Sequence, residues 1–311
     1  MSNPNPKPKL YHLYSRWDGT MSITAMNRTR GCRSGSATDA ESFFFQTKWP
    51  QGYCCPRCSH RHGYRLRSRS IPLYQCAHCR HQTSLTSGTI MEHSRLSLEQ
   101  WRSALQFMTQ PGGVTAVQLQ RSLGISYKSA WYMLKRARLA ISMVDMEQRL
   151  CGFITAGLDF YGGGGGRSYY RKPREHSIVA LQGVVASQGS SSSPSSETDI
   201  VKLKIVNPAL MVNRRMPAVL QPFFFRQHLE PHDLVLHPAP LAVGMASDTA
   251  ACLSMQQFIY YAKQWIDVTF HGIGAKYLQL YWDEYCFREN CRRQGRSPLR
   301  ALASACSQRC L

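Results

Sequence analysis

The sequence predicts a multidomain α+β protein with a small cysteine-built module, a three-helix unit after it, and a C-terminal domain of strands followed by helices. Three observations predict this. Two Cys-x-x-Cys pairs lie within residues 53–89, apolar residues recur at helical spacing through residues 96–141, and strand-like segments give way to amphipathic helices over residues 151–290. At 311 residues the chain is long enough for two or three compact units, each with its own core.

Charge narrows the partner. The 38 Lys and Arg against 18 Asp and Glu leave a formal +20, which points to a polyanion. Residues 1–150 hold 21 of those cations and only 7 of the acids, so nucleic-acid contact is expected mainly there. No apolar run approaches the roughly 18–20 residues of a membrane span, and the first ten residues do not read as a signal peptide. The expectation is a cytoplasmic protein without membrane contact. Its 12 dispersed cysteines therefore suggest a metal site in any tight cluster rather than a disulfide framework.

Residues 1–45 are polar and basic without periodic apolar pattern, and read as a weakly ordered arm able to track a phosphate backbone. Residues 46–92 contain Cys55-Pro-Arg-Cys58 and Cys76-Ala-His-Cys79, separated by 17 residues. That is the spacing of a zinc ribbon, in which two knuckles bring four thiolates around a structural Zn²⁺. Cys54 is a neighbour that could compete as a ligand, while His60, His62, His78 and His81 are left to solvent or phosphate. Arg57, Arg61, Arg65, Arg67, Arg69 and Arg80 surround the knuckles with Tyr53, Tyr64 and Tyr74 interleaved. The mix suits DNA contact, although a solvated hairpin surface has the same composition.

Residues 93–148 read as a helix-turn-helix unit. Thr115-Ala-Val-Gln118 has the form of a capping box, Gly124 suits a helix end and Ser126 can cap the next helix. On that second helix Ala130, Met133, Leu134, Ala137 and Ile141 share one face. Tyr127, Lys128, Ser129, Tyr132, Lys135 and Arg136 are then free to meet a major groove. A preceding helix with Trp101, Ala104, Leu105 and Met108 on one face completes three helices. A plain helical hairpin fits the same pattern.

Residues 149–293 open with strands at 151–160, 177–186 and 200–206, the last two separated by a Ser-rich loop at 187–197. A helix at 218–229, a short strand at 233–237 and helices at 255–266 and 275–290 follow. This is the order of an RNase H-like α/β domain, here truncated or degenerate. The glycine run 162–166 lacks the Lys-Ser/Thr of a phosphate loop and reads as a flexible hairpin. Cys286, Cys291, Cys306 and Cys310 form no paired knuckle and predict no second metal. Residues 294–311 read as a basic tail.

The succession of both cysteine pairs, Ser87-Gly88-Thr89-Ile90, Leu98-Glu99-Gln100-Trp101 and residues 119–131 (LQRSLGISYKSAW) resembles the insertion-sequence transposases that carry an N-terminal zinc ribbon. Tyr281-Trp282-Asp283-Glu284-Tyr285 and Phe287-Arg288-Glu289-Asn290 look like that family's closing helix. The resemblance runs from about residue 45 to 295. It implies an RNase H-like (DDE-type) domain whose carboxylates hold two Mg²⁺ ions for DNA cleavage and strand transfer. The first carboxylate falls on Asp159, which a turn before glycines would also explain. The second falls on Ala239, which cannot ligate a metal. The third falls on Gln256, seven residues before Lys263, a lysine that looks like the family's DNA-contacting base. Asp248 reads better as a helix start, and Glu284 as an ion pair with Arg288 four residues on.

The resemblance therefore implies a transposase acting on double-stranded DNA at terminal inverted repeats, with at least two protomers on paired ends. One alternative is a catalytically dead descendant that only binds or represses. The other is a zinc-ribbon transcription-associated factor.

Overall fold

A computed structural model describes residues 36–66, 72–162, 175–185, 199–231, 241–242 and 250–307. It is a mixed α+β molecule with small sheets. The expected strand at 233–237, the Ser-rich loop, Ala239, Asp248 and Cys310 lie outside the described residues.

Residues 36–45, expected within a weakly ordered arm, instead begin helix α1 (Ser36–Lys48). Three consecutive phenylalanines erase the 3.6-residue pattern, yet Ala40 and Phe44 share a face and are fully buried. Glu41 accepts from Arg65 Nε and Nη2 at 2.5 and 2.6 Å and from the Tyr74 hydroxyl at 2.8 Å. Lys48 donates to the carbonyls of Ser84, Leu85 and Ser87. Both contacts tie α1 to an antiparallel sheet, β1 (Gly63–Leu66), β2 (Leu73–Cys76) and β3 (Gln82–Ser84), in the order β1-β2-β3.

Three helices follow: α2 (Leu98–Met108), α3 (Ala116–Leu123) and α4 (Tyr127–Glu147). Ser97 with Gln100 and Thr115 with Gln118 form reciprocal capping boxes, satisfying amides that a helix start leaves unpaired. Gly124 closes α3 at φ 62°, a left-handed conformation that glycine adopts without strain, and Ser126 caps α4 two residues later. The apolar stripes of α2 and α4 are buried as expected.

The basic tail is corrected. Within it Pro298–Ser307 is a helix, α8, whose Leu302, Ala303 and Cys306 complete the N-terminal core. The Cys306 carbonyl accepts from Ile90 N–H at 3.1 Å, and the Ser307 and Thr47 hydroxyls pair at 3.1 Å.

The C-terminal sheet is antiparallel: β4 (Leu150–Tyr161), β5 (His176–Val185) and β6 (Ile200–Ile205), ordered β4-β5-β6. A two-stranded pair, β7 (Arg215–Met216) and β8 (Leu241–Ala242), forms a separate small sheet. The helix expected over 218–229 shrinks to a 3₁₀ turn, Ala218–Leu220, followed by the five-residue α5 (Gln221–Phe225). Pro217 and Pro222 flank that start, and proline is tolerated only in a helix's first turn. Helices α6 (Ala250–Phe270) and α7 (Ala275–Arg293) cover one sheet face, burying Ile178, Ala180, Val201 and Leu203 beneath Ile259, Ala262 and Trp282.

Helix α7 also covers the open edge of β6. The Asn290 amide exchanges hydrogen bonds with Val201 N–H and C=O at 2.8 and 2.9 Å, and Gln279 takes Ile205 N–H and Leu203 C=O at the same distances. An edge strand's unpaired backbone groups are thus satisfied by side chains.

Buried charges join α4 to this domain. Arg138 pairs with Glu284 at 2.6 Å, Ser142 donates to Asp283 at 2.5 Å, and Lys204 bridges Asp283 and Asp145. Lys202 donates to the carbonyls of Asp145 and Gln148 at the α4 C-terminus, where the helix dipole favours a cation. Burial, reinforced by Lys204 and Lys202, pushes the nearby His228 imidazole down to about 4. Between pH 6.5 and 4 the unfolded chain therefore binds a proton that the folded chain refuses, and stability falls as pH falls through that window. From pH 6.5 to 5 the loss at this residue is about 2 kcal/mol. Urea unfolding of His228→Leu should show a shallower acid slope than wild type; equal slopes would refute this account.

Candidate metal centre and nucleic-acid interface

The hairpin β1-β2 brings the two knuckles together: Cys55 N–H bonds the His60 carbonyl at 2.9 Å, and Cys76 N–H bonds that of His81 at 2.9 Å. Ser59 and Arg80 take positive φ at the two turns. The sulfurs of Cys55, Cys58, Cys76 and Cys79 all lie within 4.8 Å of one another, and the Cys55–Cys79 and Cys58–Cys76 separations are each 3.6 Å. Four thiolates at the zinc–sulfur distance of about 2.3 Å occupy a tetrahedron with edges of about 3.8 Å, so the donor set fits structural zinc. Burial opposes ionisation of Cys55, but the Arg57 and Cys58 amides and neighbouring thiols hold its thiol down, while the same thiols push Cys58 up. Cys54 stays outside the group, its thiol directed at the Ser59 carbonyl 3.7 Å away. Among the described residues no other group of three or more His, Cys, Asp or Glu is placed to hold a metal.

Among the described residues, one of the arginines around the knuckles is already paired. Arg57 and Arg80 are exposed beside the knuckles. Arg65 is committed to Glu41, and Arg67 and Arg69 lie outside the described residues. On α4, Tyr127 and Lys128 are exposed and Tyr132 stands at the surface. Ser129 is half-buried, its N–H and hydroxyl both meeting the Ser126 cap. Arg136 donates to the Glu92 carbonyl and to the Tyr132 hydroxyl. Lys135 lies over the Trp131 ring at 5.2 Å.

On the C-terminal sheet, β4 and α6 run side by side, and alternate β4 residues meet successive α6 turns. Gly157 leaves room for Met255, whose Cγ would stand only 3.0 Å from an added Cβ. Asp159 accepts from Lys263 Nζ at 2.5 Å and from Phe160 N–H at 2.7 Å, and the Tyr161 hydroxyl donates to Asp267 at 2.7 Å. The structure therefore brings Asp159 and Lys263 together. Gln256 is exposed, two helical turns before Lys263. Glu284 belongs elsewhere: it is 1% exposed and held by Arg138, not by Arg288, which donates instead to the carbonyls of Gln110 and Pro111. Sequence reasoning missed Asp267, although its place four residues after Lys263 puts it on the same helix face.

A module of this kind, two thiolate knuckles on a short antiparallel sheet, is a zinc ribbon. Residues 35–82 match the family model of the transposase zinc-ribbon domain, a span that takes in all of α1. The N-terminal segment is thus a zinc ribbon of the insertion-sequence transposase type. No curated protein and no solved structure gives a significant match to the chain. Among the described residues no helix is long and apolar enough to cross a membrane.

Proposed function

We propose that this chain is a transposase-type protein that binds double-stranded DNA at terminal inverted repeats, using the zinc ribbon together with α3–α4 as a helix-turn-helix. The preformed four-thiolate site carries the reading, because a metal-fixed ribbon holds Arg57 and Arg80 rigidly outward. The capped α3, the three-residue connection and the exposed Tyr127 and Lys128 support α4 as the groove reader. The three antiparallel strands followed by α6 and α7 are compatible with an RNase H-like domain. In it Mg²⁺-dependent strand cleavage would rest on Asp159, with Lys263 as a DNA-contacting base, and paired ends would require at least two protomers.

A second reading has its own observation. Asp159 is neutralised by Lys263, the position expected for a third ligand is the amide Gln256, and Asp267 is engaged by Tyr161. Two-metal chemistry needs convergent carboxylates, so a descendant that occupies the ends without cutting them fits this arrangement.

Labelled terminal-repeat DNA incubated with the full chain and Mg²⁺ separates the readings. Cleavage that disappears in Asp159→Ala identifies an active transposase. Tight zinc-dependent binding without cleavage identifies the binding-only descendant. Indifference to the inverted repeat would overturn both in favour of a general transcription-associated factor.

A further inference from the structure

The C-terminal domain contributes a basic aromatic surface beside α4 that the functional reading above does not use. Helices α4 and α7 lie side by side in the same direction: Trp131 meets Tyr277 edge to face at 5.8 Å, and seven residues further along each helix Arg138 pairs with Glu284 at 2.6 Å. The two N-terminal ends are therefore neighbours. Lys135 lies over Trp131 at 5.2 Å and Lys276 over Tyr277 at 5.5 Å, while Lys128 and Lys276 are exposed. Acids are missing from both segments: no Asp or Glu occurs between Glu99 and Asp145, nor between Asp267 and Asp283. The result is a cationic strip of lysines and aromatic rings shared by the neighbouring ends of α4 and α7.

We propose that the sugar–phosphate backbone of duplex DNA engaged by α4 continues onto the N-terminal end of α7, where Lys276 neutralises a phosphate and Tyr277 packs beside it. This rests on the proposed DNA-binding role. Charge complementarity selects the occupant, since a strip of lysines without acids suits a polyanion, and aromatic rings that steady lysine stems also offer apolar edges to sugars. The buried Arg138–Glu284 pair makes the strip rigid, so DNA docked on α4 meets α7 without a domain movement. The C-terminal domain thereby takes part in holding the duplex, independently of any cleavage.

The test is binding of the full-length chain to a terminal-repeat duplex across 50–200 mM salt, comparing wild type with Lys276→Gln, Lys276→Glu, Lys276→Arg and Lys128→Gln. Lys276 is exposed, so unfolding midpoints should not move. Lys276→Gln should lower the slope of log affinity against log salt by about 0.9 and weaken all duplex sequences alike. Lys276→Glu should weaken binding at least about tenfold, and Lys276→Arg should restore it. Wild-type slope and affinity in Lys276→Gln and Lys276→Glu, alongside weakened Lys128→Gln, would overturn the inference while leaving α4 as reader. Absence of duplex binding by the wild type would overturn the underlying reading and this inference with it.

Discussion

Cys76→Ser, or removal of zinc by a chelator, is expected to unfold the ribbon and abolish DNA binding. The three strands of its sheet have four, four and three residues, too few for backbone pairing alone to hold them. Cys55 and Cys76 are each 1% exposed, so the metal site is also part of the core. Structural zinc supplies roughly 10–16 kcal/mol in small zinc-dependent modules, far beyond what these strands can replace. The loss should spread to α1, because its Phe45 packs on Tyr74, two residues before Cys76, and Trp49, directly after the helix, packs edge to face on Tyr53 and Tyr74. Metal content, far-UV circular dichroism and duplex binding measured on the same sample check this. A Cys76→Ser chain that keeps one zinc, wild-type structure and wild-type affinity would refute the site.

The residues explain why some of this was legible in the sequence and some was not. A cysteine knuckle, a capping box and a glycine helix end are made by residues three or four apart, so Cys55 to Cys58, Thr115 to Gln118 and Gly124 could be read directly. Partners distant in sequence could not. Arg65 looks like a free cation until Glu41, on a helix hidden by a phenylalanine run, is seen to hold it. Glu284 has an obvious partner in Arg288 four residues on, yet burial selects Arg138, 146 residues away. A buried carboxylate needs a cation that is desolvated with it, and Arg288 is drawn off by the carbonyls of the α2–α3 loop. The catalytic reading suffers from the same difficulty, since Asp159 and Lys263 meet only because α6 lies along β4.

Deleting α8 from Ser297 onward is expected to destabilise the N-terminal helical core, although nothing within reach in sequence says so. A basic tail would be solvated, and its loss would change only charge. In the structure Leu302, Ala303 and Cys306 are at most 1% exposed and share a core with Phe44, Trp101, Leu134 and Ala137. At about 25 cal/mol per Å² these side chains stabilise by roughly 5 kcal/mol, comparable with the about 5–15 kcal/mol by which a domain is stable. The backbone adds to this: without the Cys306 carbonyl, the Ile90 amide, on a fully buried residue, is left without its acceptor. Leu302→Ala alone should cost about 2–5 kcal/mol, whereas Arg300→Gln, at an exposed position, should leave stability unchanged. Denaturant unfolding of the truncated and substituted chains checks the pattern. If truncation and Leu302→Ala left the midpoint where Arg300→Gln leaves it, α8 would be an ornament on the core. If they lower it, a segment some two hundred residues further along the chain than the ribbon is required for the N-terminal half to fold, and residues 1–148 expressed alone should not form a stable unit.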